Sequence, residues 1–374
     1  MAAIPRPPSL HSAASPRRRR AGLVLAATFA AGAASTAADT FCVATTAQLE
    51  GALIVAGLNG EDDEIRIHSG TYTSPSSVGF RYLPAPGGPD QSSHLAISGG
   101  WSGSGCTRYG SLAQATVLKG AFGPVLRLVA QGGGKYEISN LTITQGASGP
   151  GVGALDVRTA ANQGPLVALE RVRFVGNQGF AALQIETDKS IRVIGSLFAE
   201  NLLTLGGGGS AIVRRTGTVG NPAIVILNTV TANAATHAGF FTGLRLENWG
   251  TDETVIVDNI FWGNQGGGVL LFGPIEPFSF NDFGVVDGVW TGTGNLSVDP
   301  EFVSLPAGDY RLRSGSPMID SGINTGLVYP PEWDLLGQSR PLSSYDRGAY
   351  EYHPPLFADG FESGNLSAWS AFSS

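Results

Sequence analysis

One short apolar phrase recurs five times between residues 138 and 272, and this repeat constrains the fold more than any other feature of the chain. Each copy begins and ends with an apolar residue, and a glycine or an asparagine follows three residues after its end. These end points are 31, 24, 32 and 31 residues apart. Such a period is typical of architectures that stack one supersecondary unit on the next. The copies are Ile138–Ile143, Leu169–Phe174, Val193–Phe198, Val225–Val230 and Ile256–Phe261.

A second apolar run follows each phrase, so every period holds at least two short strands. Both runs alternate with period two, and the residues between them are rich in Gly, Asn and Thr. No stretch inside the repeats has the pattern of a crossover helix. Strands that stack in parallel without such helices predict a solenoid, whose coils bury their apolar sides against one another. We therefore predict an all-β fold, a right-handed parallel β-helix.

The asparagines at the phrase ends are predicted to form a structural ladder. Asparagine tolerates the left-handed turn conformation, and its amide can hydrogen-bond to the next coil. The alternative is a row of ligand-binding amides. Gly146 starts the ladder, and its rungs are Asn177, Asn201, Asn233 and Asn264.

A charge ladder is predicted at the ends of the second runs. Alignment of these runs gives an outward column of alternating sign, and stacked strands lie about 4.8 Å apart. Each charge then has an opposite charge above or below it, which favours a compensated face over a catalytic one. The same alignment places Arg214 in an inward column and so predicts a bulge or register shift there. The outward column is Arg158, Glu186, Arg215, Glu247 and then Phe272.

The first 38 residues are predicted to be an export signal. Arg17–Arg20 form a basic region, Ala21–Ala34 an apolar core, and cleavage is expected after Ala37 or Ala38. The core is shorter than the about 20 apolar residues that a membrane span needs. The run of arginines leaves twin-arginine export open beside the general secretory route, which we favour.

Cleavage would leave an acidic mature chain with no transmembrane segment. Removing residues 1–38 lowers the Lys and Arg count from 23 to 18 against 30 Asp and Glu, so the net charge changes from −7 to −12. This charge argues against nucleic acid as a partner, because nucleic acid binding depends on neutralising phosphates. It also argues against attachment to an anionic membrane surface.

The mature N-terminus is predicted to cap the solenoid over residues 39–60. Residues 45–58 have the pattern of a short amphipathic helix with Thr45 or Thr46 as N-cap, and a solenoid needs its open end covered. Two cysteines in an exported chain predict one disulfide, between Cys42 and Cys106, rather than a reactive thiol or a metal ligand. Neither cysteine has a His or a second Cys at ligand spacing in the sequence.

Several motifs resemble one known group of proteins. The segments 41–43, 65–72 and 97–101, with Cys106 and the repeats at residues 61–293, resemble the parallel β-helix repeat proteins of the pectin-lyase-like superfamily, in particular exported bacterial members with polymorphic-outer-membrane-protein-like coils. Residues 294–353 resemble the "choice-of-anchor Q" region that closes such proteins, and 354–374 form a short tail. In the closing region, a buried carboxylate–guanidinium network is expected to lock the last coil, built from Asp320, Asp334, Arg340 and Asp346.

The resemblance implies a fold more strongly than a chemistry. Its superfamily includes lyases, hydrolases, epimerases and adhesins, and the sequence has no counterpart of the polygalacturonase or pectate-lyase motifs. We therefore expect a monomeric, non-catalytic scaffold of the bacterial cell envelope, secreted or on the outer surface, with periplasmic location open. Its expected partner is a polysaccharide or cell-surface glycan, and no cofactor, metal or catalytic residue is predicted. The alternative is a lyase or hydrolase of acidic polysaccharides, which adjacent outer-wall carboxylates beside an Arg or Lys would favour.

Overall fold

A computed structural model describes most of the predicted mature chain. The described residues are 39–83, 94–110, 112–130, 134–159, 166–215, 222–249, 254–273, 275, 277–323, 332–341 and 344–354. The predicted signal at 1–38 and all but the first residue of the tail lie outside them.

The described residues form many short strands and one α-helix, α1 (Thr46–Asn59). Two 3-10 turns lie at Ala113–Ala115 and Leu305–Ala307. The strands in chain order are β1 Asp39–Val43, β2 Asp63–His68, β3 Gly70–Thr73, β4 Phe80–Tyr82, β5 His94–Ser102, β6 Arg108–Tyr109, β7 Thr116–Lys119, β8 Leu126–Ala130, β9 Lys135–Thr144, β10 Gly153–Thr159, β11 Leu166–Val175, β12 Gln178–Gly179, β13 Ala181–Thr187, β14 Ile191–Ile194, β15 Leu197–Ala199, β16 Leu202–Leu203, β17 Gly209–Arg215, β18 Ala223–Ile226, β19 Thr229–Thr231, β20 Ala234–Ala235, β21 Leu244–Asn248, β22 Thr254–Val257, β23 Ile260–Trp262, β24 Val269–Phe272, β25 Phe278–Ser279, β26 Asp282–Phe283, β27 Val286–Asp287, β28 Phe302–Ser304 and β29 Asp309–Leu312.

These strands stack into long parallel sheets, as the repeat predicts. We call the three stacks legs. Leg 1 runs β1-β2-β5-β9-β11-β14-β18-β22-β25, and leg 2 contains β3 and β7, the second halves of β9 and β11, then β15, β19, β23 and β26. Leg 3 runs β4-β8-β10-β13-β17-β21-β24-β27. The chain visits each leg once per repeat, so the architecture is solenoid-like, with antiparallel pairing at β5–β6 and β28–β29.

The core lies between the legs and is built from stacked apolar columns. On leg 1, Ile65, Ile97, Ile138, Leu169 and Val193 occupy successive strands at one register position and are at most 2% exposed. Outward neighbours alternate with them, which is the period-two pattern of the sequence. Each coil therefore buries its apolar side against the coils on both sides of it.

The helix α1 covers the N-terminal end of this core. Thr45 is its N-cap and accepts a hydrogen bond from Gln48 N at 3.2 Å. Leu49 and Leu53 are at most 1% exposed, and the helix contacts β1, β2 and β4. The helix and its N-cap are as the sequence predicts.

The left-handed residue of the turn after leg 2 is not the one that the sequence predicts. The predicted asparagine ladder lies at the turn after leg 2, but its members do not adopt the left-handed conformation. The residue before each of them does, with φ between 52° and 67°. These left-handed residues are Gln145, Gly176, Glu200, Ala232 and Gly263. The asparagine is thus selected for its amide rather than for its backbone.

The register of leg 3 corrects the predicted charge ladder by one residue. Glu186 pairs with Arg214, and Arg214 pairs with Glu247, whereas Arg215 lies between Thr187 and Asn248. The pairing runs without a bulge, because Ala211 rather than Ile212 lies in the inward column. Val213 follows Ala211 inward and is 0% exposed. The prediction of Arg215 as a rung, and of a register shift at Arg214, is therefore wrong.

The described residues of 300–323, 332–341 and 344–351 pack on the outer side of leg 2. A second apolar cluster joins Tyr310, Met318 and Leu335 to the outward side chains of Leu197 and Ile260. Tyr310 Oη donates to Glu200 Oε1 at 2.7 Å, and Gly348 N donates to the carbonyl of Asp258 at 2.8 Å. The closing region is therefore a cover along the flank of several coils.

Candidate functional site

The outer wall of leg 1 brings together two carboxylates that are far apart in sequence. Glu137 on β9 pairs with Ala168, and Ser139 pairs with Glu170 on β11. Both glutamates alternate with buried residues, so they point outward from neighbouring strands, two register positions apart. This pair fits the predicted feature that would favour an enzyme: adjacent carboxylates on the wall.

Basic groups flank both carboxylates. Glu137 Oε1 lies 2.5 Å from Lys135 Nζ, and Glu137 Oε2 lies 2.6 Å from His94 Nε2. Glu170 Oε1 lies 3.7 Å from Arg171 Nε, and the Glu170 side chain is 48% exposed. Partial burial raises the pKa of Glu170; Arg171 opposes this rise, and the negative charge of Glu137 adds to it.

An aromatic pair continues the same wall. The rings of Trp101 and Tyr109 are 5.0 Å apart at an interplanar angle of 53°. Arg66 Cζ lies 4.3 Å from the Trp101 ring centroid, within cation–π range. Arg171 Nη2 donates to Tyr109 Oη at 2.8 Å and so connects the aromatic pair to Glu170. We call Arg66, Trp101, Tyr109, Glu137 and Glu170, with His94, Lys135 and Arg171, the leg 1 face.

A local irregularity in β5 creates this aromatic pair. The register between β2 and β5 shifts between Arg66 and His68, and β6 folds back on β5 so that Tyr109 pairs with Trp101. Gly100 has φ 84°, and a Cβ there would lie 2.4 Å from Asn140 Nδ2. Asn140 Nδ2 in turn donates to the carbonyls on both sides of this loop, at Gly99 and Gly110. Glycine at position 100 is therefore required for the loop that presents Tyr109.

The predicted disulfide is present and lies beside this loop. Cys42 in β1 is bonded to Cys106, with Cα atoms 5.5 Å apart, so the first strand is tied to the β5–β6 connection. His68 Nε2 lies 3.4 Å from Cys42 Sγ. The fold thus supplies a histidine neighbour that the sequence spacing does not show.

The asparagine ladder is a buried hydrogen-bonded stack. Asn177 Nδ2 donates to Asn201 Oδ1 at 3.0 Å, Asn201 to Asn233 at 2.9 Å, and Asn233 to Asn264 at 2.8 Å. Asn177 Oδ1 accepts from Gly146 N at 3.0 Å, which is the start of the ladder. Amides consumed in this way are not presented to a ligand.

A second ladder, which the sequence analysis missed, lies at the turn between legs 1 and 2. Asn228 Nδ2 donates to Asn259 Oδ1 at 2.9 Å, and Asn259 Nδ2 to Asn281 Oδ1 at 2.9 Å. At one end of this stack Ser196 N donates to Asn228 Oδ1, and at the other end Asn281 N donates to Asn295 Oδ1. The signal was available inside the repeated phrase, where a polar residue sits three positions after the start of the later copies.

The corrected charge ladder is largely paired and partly buried. Arg214 Nε lies 2.8 Å from Glu247 Oε2, and Arg214 Nη1 lies 3.6 Å from Glu186 Oε2. The guanidiniums of Arg214 and Arg245 lower the pKa of Glu247, although its burial opposes them. Arg158 instead pairs with Asp156 at 2.9 Å. This compensated column on leg 3 offers no pair of adjacent carboxylates.

The predicted network in the closing region has different principal partners. Arg340 pairs with Glu351 at 2.8 Å, and both side chains are at most 3% exposed. Asp334 and Asp346 accept backbone N–H groups, and Asp320 contributes its own N–H to Asp346. The missed members are Glu351 and Arg347, and the latter donates to the carbonyls of Asn281, Gly294 and Ser321.

Comparison with known proteins adds no relative. Neither a family model nor a curated protein sequence matches this chain. In the part of the chain that the structure describes, no helix is both long enough and apolar enough to cross a membrane.

Proposed function

We propose that this chain is an exported, right-handed parallel β-helix protein that binds glycans through the leg 1 face without transforming them. The parallel legs and the resemblance of residues 41–353 support the fold. The basic and apolar pattern of residues 1–38 supports export. The closing region of choice-of-anchor Q type then serves as the flank cover of the solenoid.

The Trp101–Tyr109 pair is the observation that carries this proposal. Tyr109 is 47% exposed although it is a large ring on an ordered β-wall. Aromatic rings with one apolar face and one polar end are suited to contact the C–H face of a sugar while bonding to its hydroxyls. Trp101 and Tyr109 lie in paired strands, so less backbone freedom would be lost on binding than in a loop.

The charges around the pair favour an acidic glycan. Arg66 and Lys135 are 29% and 44% exposed on this wall, each beside one glutamate, in a mature chain whose predicted net charge is −12. A guanidinium offers a planar fork that matches a carboxylate or sulfate. Uronic acid or sulfated units are therefore the expected ligand class.

The test is a binding titration of residues 39–374 against polygalacturonate, alginate, a sulfated glycan and a neutral glucan. Trp101→Ala and Tyr109→Ala should each weaken binding of the acidic glycan about tenfold, because a stacked ring contributes about 1 kcal/mol or more. Trp249→Ala is the matched control, since Trp249 is 63% exposed on leg 3. Equal affinity for all three variants and the unaltered chain would contradict the proposal.

A hydrolase is the second candidate, and Glu137 and Glu170 are the observation that favours it. Glycoside hydrolysis uses one carboxyl that is protonated and one that is ionised, separated by about 5–10 Å. The raised pKa of Glu170 fits the proton donor, and Glu137, in contact with Lys135 and His94, is the second carboxyl of the pair. Incubation with the same glycans, read by new reducing ends and unsaturated products, separates the candidates. Turnover that Glu170→Gln abolishes would establish the enzyme.

A further inference from the structure

The disulfide and His68 form a second cluster of chemical groups, distinct from the leg 1 face. The Sγ atoms of Cys42 and Cys106 and a ring nitrogen of His68 all lie within 4.8 Å of one another. Three different parts of the chain supply them: β1, the end of β2 and the loop between β5 and β6. Their convergence is a product of the parallel register and of the β5–β6 hairpin.

We propose that reduction of the Cys42–Cys106 disulfide converts this cluster into a binding site for a zinc-class divalent cation. Two thiolates and one imidazole are the donor set that borderline-soft cations such as Zn²⁺ prefer. In the oxidised protein both sulfurs are used in the covalent bond, so the site is masked. The redox state of one bond thereby decides whether the metal is held.

The geometry fits a tetrahedral centre. With Zn–S of about 2.3 Å and Zn–N of about 2.0 Å, a sulfur and a nitrogen ligand lie about 3.5 Å apart. The observed separation between Cys42 Sγ and His68 Nε2 is 3.4 Å. After reduction the two sulfurs need only move to about 3.8 Å from each other to span the same centre.

Neighbouring groups fix the backbone of the ligands, and one side of the cluster is accessible to a metal ion. The His68 carbonyl accepts hydrogen bonds from Tyr72 Oη at 3.0 Å and from Thr116 Oγ1 at 3.2 Å, which fixes the backbone at this ligand. Cys42 and His68 are half-buried, whereas Cys106 is fully buried. Metal can therefore reach the cluster from the side of Cys42, and the fourth position is open to water.

The chemistry balances with an external reductant. A dithiol gives the Cys42–Cys106 bond two electrons and its own two thiol protons and becomes a disulfide. A phosphine gives two electrons and becomes a phosphine oxide with oxygen from water, and that water supplies the proton that each cysteine gains. Metal binding then releases both thiol protons, because the thiolate is the ligand. His68 would bind through Nε2, the ring nitrogen that lies 3.4 Å from Cys42 Sγ.

The experiment uses residues 39–374, reduced with a phosphine, desalted without oxygen and titrated with Co²⁺. Tetrahedral cysteine coordination gives visible absorption between about 600 and 750 nm and a sulfur-to-cobalt charge-transfer band, and Zn²⁺ should displace the Co²⁺. We expect one Co²⁺ per reduced chain and none for the oxidised chain. His68→Gln should weaken binding by at least about tenfold, the loss that even an outer partner of a metal ligand causes. His237→Gln is the matched control.

A thermal readout keeps the test decisive if reduction loosens the fold. Zn²⁺ should raise the Tm of the reduced chain, or restore its folded circular dichroism, and should do so less for His68→Gln. No effect of Zn²⁺ on the oxidised chain is expected. Absence of Co²⁺ absorption in the reduced chain, or equal binding by His68→Gln, would overturn the proposal.

Discussion

At the residue scale, buried amides do more to define the coils than any charged group. Asn228 is 1% exposed, accepts from Ser196 N and donates to Val193 O, Ile226 O and Asn259 Oδ1. Each amide therefore satisfies backbone groups at a turn where no ladder hydrogen bond is available. A buried polar group is tolerated only when it is bonded in this way.

We expect Asn228→Ala to lower the free energy of unfolding by about 2–3 kcal/mol, because Ser196 N and two carbonyls would lose their buried partner. Urea denaturation followed by circular dichroism measures this change. Asn264→Ala, at the half-exposed end of the other ladder, should cost less because water can reach its partners. A larger loss for Asn264→Ala than for Asn228→Ala would contradict the ladder argument.

We expect Arg214→Ala to lower the free energy of unfolding by about 1–2 kcal/mol, since the buried Glu247 carboxylate would lose its Arg214 partner and keep Arg245 and Trp249. The measurement is again urea denaturation. Arg192→Ala, at an exposed position of leg 1, should change stability by no more than about 0.5 kcal/mol. Equal costs would show that the leg 3 pairing contributes nothing.

At the scale of single elements, the closing region depends on buried acids. Burial raises the pKa of Glu351 to about 7, although Arg340 opposes the rise. Burial also raises the pKa of Asp258 to about 7 and that of Asp282 to about 6, against opposing backbone hydrogen bonds and Arg347. The folded chain therefore binds more protons than the unfolded chain between about pH 4.5 and pH 7.

Stability should accordingly fall as the pH rises through this window. In the unfolded chain these carboxyls ionise near pH 4, and ionising them in the folded chain up to pH 7 costs free energy. Urea midpoints measured at pH 5.5 and pH 8 test the sign. The side chain of Asp258→Asn is neutral at both pH values, so this variant should show a smaller difference between its two urea midpoints. A higher midpoint at pH 8 for the unaltered chain would refute this assignment.

The disulfide also acts on single elements, because it fixes β1 to the β5–β6 hairpin across 64 residues. Replacing both cysteines by serine should lower stability by up to about 4 kcal/mol in the loop-closure model. The comparison is a denaturant melt of the double variant against the oxidised chain. Identical midpoints would show that β1 is held by its hydrogen bonds to β2 alone.

At the scale of the whole molecule, the solenoid has two kinds of wall. The leg 1 face is open to solvent. On leg 2, by contrast, Tyr310, Met318 and Leu335 of the closing region pack against the outward apolar side chains. The outward residues Leu197 and Ile260 of leg 2 are at most 1% exposed. The closing region thus shields this apolar wall from water.

A chain that ends at Asp299 should expose this wall. We expect it to bind a hydrophobic dye and to self-associate, because contiguous apolar patches of several hundred Å² mark association surfaces. Dye fluorescence and light scattering, compared with residues 39–374, measure both effects. A truncated chain that stays monomeric and binds no dye would mean that the cover is dispensable.

The stacked parallel strands, the N-terminal helix and the disulfide could all be predicted from the sequence. The hydrophobic period and the turn residues are local signals that recur in every coil, and the cysteine count needs no knowledge of the fold. The sequence also located the asparagines of the ladder after leg 2, although the left-handed backbone belongs to the residue before each of them.

The remaining features could not be predicted from the sequence, because each of them depends on strand register or on contact between distant segments. The register of leg 3 differs by one residue from the predicted one, because Ala211 faces the core. Arg214 rather than Arg215 therefore lies between Glu186 and Glu247. The pairing of β9 with β11 brought Glu137 beside Glu170, and the β5–β6 hairpin brought Tyr109 to Trp101. These groups have no shared sequence spacing, so the face that we propose to bind glycans becomes visible only in the folded chain.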